Sequence, residues 1–549
     1  MLNIDEIFAK AYQNHGQGRL EKARVGYLEI LGIDPLHSDS LHLLALIEAD
    51  DGNIKSAIAK IKTAISIRDD DALYYANLGR LLNLVDDLPG AADAYVRATE
   101  LTPDDGFVLS DLAGVKLRQN LFVDALKLAE RALLIEPDLV QALFNAAVAH
   151  KKLKRYDDAV LLFERVKSLV PDFLGLDFEW AGALVSLGTD NRIKGAFDDA
   201  EVDYKKALTH APDQAEIHGN LAVLYQETGR LDLAFDHYDK AIQIQPDNAE
   251  FRRNRAMAYL QKGDYENGWR EYHWRWKTIG FEDQVRDFKK PEWKGEDITS
   301  QTVLVHCEQG YGDSLQFARY LPLLKPKAAS VIFECQPALL PWMKSQFADC
   351  LVVGKGQALP EFDVHVSLLN LPGLLYDRDH PVPNAVPVSP SVCVLVKPFS
   401  VGLAWKGNPN HPRDAFRSIA LDVLKPILAV KNCQFVSLQV DGGADDIKQA
   451  GLQDVLKDDT KTFNDFSDTA KAIAGLDLVI TVDSAIAHFT GNMGKPVWLL
   501  LSTIAEWRWQ RGCDDSPWYP TMKLFRQQNL NDWSGVIKNV VAALEQQRR

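Results

Sequence analysis

Residues 91–103, Ala91-Ala92-Asp93-Ala94-Tyr95-Val96-Arg97-Ala98-Thr99-Glu100-Leu101-Thr102-Pro103, decide how the first half of the chain folds. An alanine, a larger residue four places on and a proline twelve places on return along the sequence. The prolines are Pro35, Pro103, Pro137, Pro171, Pro212 and Pro246; three of the steps are 34 residues, and Pro35 to Pro103 is twice that, with Asp69 at the skipped mark. Ala23, Ala57, Ala91, Ala125, Ala159, Ala200 and Ala234 stand twelve places before these marks, and Tyr27, Ile61, Tyr95, Ala129, Phe163, Tyr204 and Tyr238 eight before. A fixed period of this length marks a repeated supersecondary unit. Each block reads as two antiparallel helices. The alanine lets the second helix approach the first, the residue one turn on fills the groove between neighbours, and the proline stops the second helix because it has no N–H to donate. The step from Pro171 to Pro212 is 41 residues, so seven extra residues around Gly188 to Gly195 lengthen a loop or a helix.

The pattern resembles the tetratricopeptide repeat and covers about Met1 to Gly280, some eight repeats with the last degenerate. In that last one Gly263, Tyr265 and Tyr272 keep the period, Gly268 replaces the alanine, and the chain runs on into Trp269-Arg270-Glu271-Tyr272-His273-Trp274-Arg275-Trp276. Only Trp180, of 12 tryptophans, precedes Trp269. The segment is expected either to dock on the following domain or to cap the array; the two differ in what covers the aromatics. Repeat arrays form extended concave surfaces, so a protein or peptide partner is expected on this half.

With 549 residues, 46% hydrophobic and 25% charged, the chain has the make-up of a globular protein of about three folding units. Its net charge of -15 argues against a general nucleic-acid binder, which would carry a basic face. Met1 to Lys10 carries no basic start followed by an apolar core, and no apolar run approaches the roughly 18 residues of a membrane span. A cytoplasmic location is therefore expected. Cys307, Cys335, Cys350, Cys393, Cys433 and Cys513 include no Cys-x-x-Cys pair and read as reduced, mostly buried thiols.

After Pro291-Glu292-Trp293 the pattern changes to short β-rich runs alternating with helical stretches, the mark of an α/β fold with parallel sheet. Strands are expected at 302–307, 330–335, 350–353 and 363–368, then, beyond Pro381, Pro383, Pro387 and Pro390, at 400–405, 434–438, 476–482, 496–501 and 523–525. The prolines read as a linker between two Rossmann-like lobes. A last helix, 533–547, is placed so that it could cross back to the first lobe. Ligands of such sheets sit at the carboxyl ends of the strands.

Three loops follow strands there. Glu308-Gln309-Gly310-Tyr311-Gly312-Asp313-Ser314-Leu315-Gln316 opens a helix, with Asp313 in its first turn facing the cleft. This is either a turn offering backbone N–H groups to an anion or an ordinary capped helix start. Trp405-Lys406-Gly407-Asn408 with Arg413 and Arg417 is either a diphosphate-binding loop or a solvated basic one. In Asp483-Ser484-Ala485-Ile486-Ala487-His488, followed by Gly491, Asp483 or Ser484 is expected to cap a helix, and His488 is either a core histidine or a donor to phosphate. Asp377-Arg378-Asp379 follows no evident strand and reads as a solvated turn. No zinc-like spacing, P-loop or Gly-x-Ser-x-Gly motif is present.

Together, Glu308–Tyr320, Asp465–Ala470, Leu476–Gly494, Ser516–Pro520 and Leu524–Gln527 resemble bacterial tetratricopeptide-repeat glycosyltransferases, whose catalytic part has the GT-B fold. That part is similar to lipopolysaccharide heptosyltransferases and more distantly to protein O-GlcNAc transferase. The resemblance implies an all-α repeat superhelix (1–280), a connector (281–300), an N-terminal Rossmann-like lobe (301–390) and a C-terminal nucleotide-sugar-binding lobe (391–549). It implies an inverting, metal-independent transfer from a nucleotide-sugar substrate, with no cofactor. Asp313 matches the general base. Gly310, Gly312, Gln316, Lys406, Asn408, Arg417, Gln439, Asp483, Ser484, Ala485, His488 and Gly491 would line the donor site, Lys406 and Arg417 offsetting the leaving diphosphate. Ser484 stands where Thr is more usual, and Glu506, before Trp507-Arg508-Trp509, where Asp is. The acceptor would be Ser or Thr of a protein held by the repeats, flagellin among the plausible ones. A glycan- or lipid-linked acceptor, or an inactive transferase serving as a scaffold, are the alternatives.

Overall fold

The computed structural model describes residues 3–281, 284–384, 398–411 and 413–547. They divide into two compact units, Met1–Asp213 and Gln214–Arg549.

The first unit is a run of helix pairs, from Ile4–Gly16 with Leu20–Ile33 to Leu176–Lys194 with Phe197–His210. Second helices end two residues before each proline mark, at Ile33, Leu101, Ile135, Leu169 and His210, because a residue preceding proline is pushed out of the helical region. Ala23, Ala57, Ala91, Ala125, Ala159 and Ala200 are wholly buried, and so are Tyr27, Ile61, Ala129, Phe163 and Tyr204. The close approach is visible at Gly79 and Gly188, where an added Cβ would come within 2.9 Å of the Tyr95 and Tyr204 rings. The seven-residue insertion extends a helix: Leu176–Lys194 has 19 residues against 13 in Val140–Lys152. Gly195, with φ 84°, ends it in the left-handed region that favours glycine.

The second unit opens with two more helix pairs, Ala215–Glu227 with Leu231–Ile244 and Ala249–Lys262 with Tyr265–Tyr272. Gly268 takes the alanine's place because a Cβ there would lie 2.5 Å from a Leu260 methyl. Two parallel sheets follow. The first holds β1 (Ile298–His306), β2 (Ala328–Cys335), β3 (Leu351–Gly354) and β4 (Val364–Ser367) in the order β3-β2-β1-β4. The second holds β5 (Phe399–Ala404), β6 (Cys433–Ser437), β7 (Leu456–Lys457), β8 (Leu478–Val482), β9 (Val497–Leu501) and β10 (Met522–Arg526) in the order β10-β9-β8-β5-β6-β7. Nine of these ten strands lie where the hydrophobic runs put them. β7 has two residues, too few to show a period.

Both sheets reverse direction beside their first strand, between β1 and β4 and between β5 and β8, pairing Val303 with Val364 and Val401 with Leu478. Crevices open at such switch points, beyond the carboxyl ends of the strands. Strand alternation divides the second sheet into two faces. Val401, Leu403, Leu478, Ile480 and Leu500 share a core with the last helix, Ser534–Gln547, through Val536, Ile537, Val540 and Leu544. That helix therefore stays on its own sheet and does not cross back to the first lobe; its apolar stripe is used up locally. Val479, Leu499 and Leu501 face the other way, into a core shared with β1 and with the last repeat.

That shared core settles what covers the aromatics. The Trp269 ring sits edge-on to Phe317 (5.8 Å) and Trp507 (5.5 Å), and Tyr265 to Trp518 (5.9 Å). Arg275, on the turn His273–Lys277, is equally buried. Its Nη2 donates to both Glu308 oxygens (2.8 and 3.0 Å), to Asn370 Oδ1 (2.6 Å) and to Ser367 Oγ (3.3 Å). The repeat end is thus bolted to the carboxyl ends of β1 and β4. Of the expected linker, Pro381 and Pro383 are described; Pro387, Pro390, Cys393 and the 390/391 boundary lie outside the described residues. Cys307 and Cys335 are buried, while Cys350, Cys433 and Cys513 are only partly so.

Candidate active site

Asp313 lies in the first turn of the helix Tyr311–Phe317, directly after β1. Its Oδ2 accepts from the Gly310 N–H (3.0 Å), closing the turn, and its Oδ1 accepts from Arg508 Nη2. Arg508 stands between two tryptophans after β9 and ties three groups together. Its Nε donates to Gln316 Oε1 (2.6 Å) and its Nη1 to Glu506 Oε2 (2.6 Å). The guanidinium also lies 4.6 Å from the Trp507 ring centre. Asp313 and Gln316 follow the first sheet's β1, Arg508 and Glu506 the second sheet's β9, so this arginine joins segments from the two sheets. Gln316 is wholly buried, and its Nε2 has no acceptor among the described residues.

Burial pushes the Asp313 carboxyl above its ordinary value, and Arg508 pulls back against it. Burial, helped by Glu506, raises Asp483 to about 6. Burial acts the same way on Glu506, but His411, Arg508 and Arg413 outweigh it and hold that carboxyl below its ordinary value. The centre thus separates its acids: one kept charged, two inclined to take up a proton. Such separation is how one site assigns acid and base roles.

On the second lobe, the Trp405 and Lys406 N–H groups both donate to Gln439 Oε1 (3.1 and 2.9 Å), which holds the turn after β5. Lys406 Nζ contacts both Asp446 oxygens (2.7 and 2.6 Å), and Arg417 Nε donates to Asp414 (3.1 Å). An added Cβ on Gly407 would lie 2.6 Å from Arg417 Nε, so glycine leaves the room through which this arginine crosses the loop. Asn408 is exposed at the loop tip, accepting from the Asn410 N–H (3.0 Å).

The helix Ala485–Asn492 follows β8. The expected side-chain cap is not formed: Ser484 sits at the N-cap, but its hydroxyl meets Thr481 Oγ1 (3.2 Å) instead of the helix amides. The first-turn N–H groups, Ala485 among them, therefore keep their donors unspent by side chains, as an anion site needs. His488 takes its structural reading. It is buried, its Nδ1 meets Tyr519 OH (2.9 Å), its ring stacks on Trp509 (5.1 Å), and a Cβ on Gly312 would lie 2.9 Å from it. Burial lowers it to about 3, so it is neutral. Gly491 lies at the far end of the same helix, where a Cβ would lie 2.5 Å from the Tyr519 ring; it serves packing and is not grouped with the helix start.

Gly310, Gly312, Asp313 and Gln316 thus gather after β1, and Lys406, Arg417, Gln439, Asp483, Ser484 and Ala485 follow β5, β6 and β8 around the second sheet's switch point. Sequence reading left out Arg508 and His411 as site groups. A charged residue between two tryptophans just after a buried strand was the available signal. Asp377-Arg378-Asp379 is exposed, with Arg378 paired to Glu266 (2.7 Å). Among the described residues no cluster of three or more His, Cys, Asp or Glu could hold a metal ion, and no helix is long and apolar enough to cross a membrane.

The neutral histidines make stability pH-dependent. Burial lowers His306, like His488, to about 3 from an ordinary 6.5. A depressed folded value means the stability is fully present above pH 6.5 and is lost as pH falls towards 3. Each histidine is expected to contribute up to about 1.4 kcal/mol per pH unit in that window. His306→Leu should flatten the fall of Tm between pH 6.5 and 5; an unchanged slope would show that His306 is protonated in the fold.

Residues 111–172, 215–248 and 237–269 match tetratricopeptide-repeat family models, and the helix pairs there are tetratricopeptide repeats. Over 497 residues the chain is 25% identical to Protein FlbA of Caulobacter vibrioides, covering 83% of this chain and 81% of that protein. It is 27% identical over 191 residues to Protein O-mannosyl-transferase TMTC3 of Homo sapiens, covering 35% of this chain and 20% of the relative. It is 28% identical over 167 residues to the probable UDP-N-acetylglucosamine–peptide N-acetylglucosaminyltransferase SPINDLY of Hordeum vulgare, covering 30% and 17%. The chain therefore spans only about a fifth of the length of these last two relatives.

Proposed function

We propose that the protein is an inverting, metal-independent glycosyltransferase of the GT-B type that moves a sugar from a nucleotide-sugar to a hydroxyl of a protein held by its repeats. The observation that carries this is the convergence of a carboxylate after β1 with an arginine after β9, between two sheets whose switch points both carry anion-suited loops. The partial likeness to two transferases named for O-mannosyl transfer and for N-acetylglucosaminyl transfer to peptide supports the reaction class. The proposed domain limits are repeats over 1–280, a connector over 281–300 whose last three residues already belong to β1, a base-bearing lobe over 301–390 and a donor lobe over 391–549.

In this reading Asp313 takes the proton of the attacking hydroxyl. Negative charge grows on the departing diphosphate, and Lys406, Arg417 and the amides at Ala485 stabilise it where water is excluded. Gln439 and Gly407 keep the Lys406 turn in place, and Asn408 lies at the loop's outer edge. Flagellin is the proposed acceptor, and the cytoplasm the proposed location.

The test is a thermal-shift screen of the full chain against UDP, ADP, GDP, CMP and their sugars, followed by intact-mass analysis of flagellin incubated with chain and donor. A rise in Tm with one nucleotide class is expected, then a mass gain equal to one or more sugar residues. No shift with any nucleotide and no mass gain would discard the reading.

A further inference from the structure

We infer that Arg508 masks the base: it occupies Asp313 until the diphosphate of a donor draws the guanidinium away, so that the acceptor can be deprotonated only when the donor is in place. This rests on the glycosyltransferase reading and deepens it.

Both Asp313 oxygens are engaged, Oδ2 by the Gly310 N–H and Oδ1 by Arg508. The cation beside Asp313 opposes the effect of burial and makes the carboxylate a weaker base than it would be with Arg508 withdrawn. Releasing Arg508 therefore uncovers the oxygen it faces and strengthens that oxygen's hold on a proton. The Gly310 bond closes the helix start and stays. The Arg508 bond spans the two lobes and joins groups that each have another commitment. Gln316 and Glu506 hold the Nε and Nη1 edges of the guanidinium, so only the Nη2 contact has to be given up. The competing ligand would lie close by: Arg508 is within electrostatic reach of Asp483, two residues before the helix Ala485–Asn492, whose first turn no side chain caps. A diphosphate carries more charge than a carboxylate and matches the planar fork of arginine.

The balance of the step is complete. A lone pair of the acceptor oxygen forms the bond to the anomeric carbon. The bond from that carbon to the diphosphate oxygen breaks, its electron pair leaving on the phosphate beside Arg508. The hydroxyl proton passes to the freed Asp313 oxygen.

The test is calorimetric binding of pyrophosphate and of UDP, ADP, GDP and CMP to the full chain and its variants. If Arg508 is shared, Asp313→Asn leaves it less firmly held, and diphosphate affinity rises at least about 5-fold, the reciprocal of the coupling that unmasks the base. Arg508→Gln should lower diphosphate affinity at least about 10-fold, and the gain from Asp313→Asn should vanish in that background, a non-additivity expected of groups in contact. Unchanged or weaker binding by a natively folded Asp313→Asn chain, or unchanged binding by Arg508→Gln, would overturn the masking role while leaving the transferase reading intact. Absence of binding by wild type and every variant would remove both.

Discussion

Asp313→Asn is expected to slow sugar transfer by about 10²–10⁴-fold, the usual worth of a positioned general base. The substitution keeps the shape but leaves one acceptor oxygen for two donors, the Gly310 N–H and Arg508; with that oxygen kept on Gly310 the helix start is preserved, the Arg508 contact weakens, and the loss falls on proton transfer. Because Arg508 is then bound less firmly to residue 313, diphosphate affinity should rise as turnover falls. A lowered kcat with a lowered KM for donor is a pattern that simple damage to the site does not produce. Initial rates at saturating donor, with circular dichroism and Tm as checks on folding, decide the matter. A folded Asp313→Asn chain with near-wild-type kcat would remove Asp313 as the base and leave Asp483, raised to about 6, as the next carboxylate to test.

Arg275→Ala is expected to cost about 3–5 kcal/mol of stability in the Gln214–Arg549 unit, the price of breaking a buried pair and leaving its partner unpaired. The Glu308 side chain is wholly buried and that of Arg275 is 1% exposed. Burial pushes the Glu308 carboxyl upward, with Arg275 as its main counterweight. Removing Arg275 therefore leaves a carboxyl with no cation in a dry site, and takes a donor from Asn370 and Ser367 at the end of β4. The double change Arg275→Met with Glu308→Leu should recover much of the loss, since an apolar pair of similar volume is often as stable as the ion pair it replaces. Denaturant unfolding of the three chains measures it. A single change costing under about 1 kcal/mol, the range of an exposed pair, would mean that water reaches Glu308.

Much of the molecule was legible before folding because its signals are periodic. The alanine and proline spacing located the helix pairs, and short β-rich apolar runs located nine strands. Where periodicity gave out, so did the reading. β7 is two residues long, the last helix gave no indication of which sheet its stripe would cover, and Ser484 had the right residue type for a cap yet spends its hydroxyl on Thr481.

The site was legible in part for the same reason. Loops after strands lead to a crevice in any parallel sheet, so Asp313, Lys406 and Asp483 could be picked from chain order alone. His488 was ambiguous because a histidine on a helix of small residues can serve as core or ligand; the structure buries it beside Trp509 and Tyr519. Arg508 had only its place between two tryptophans after a strand to mark it. Its importance comes from standing within reach of Asp313 and Gln316, both more than 190 positions away along the chain.

Local physics written into the sequence therefore determined the elements: which segments are helices, which are strands, where each stops, and which residues stand at strand ends. Only the tertiary structure decided how those ends meet: that the repeat terminus is clamped to β1 and β4 through Arg275, and that Arg508 joins Asp313, after β1, to Glu506, after β9. Element formation depends on neighbours a few residues away. A shared ion pair depends on where two separately folded sheets come to rest, and no pattern along the chain encodes that distance.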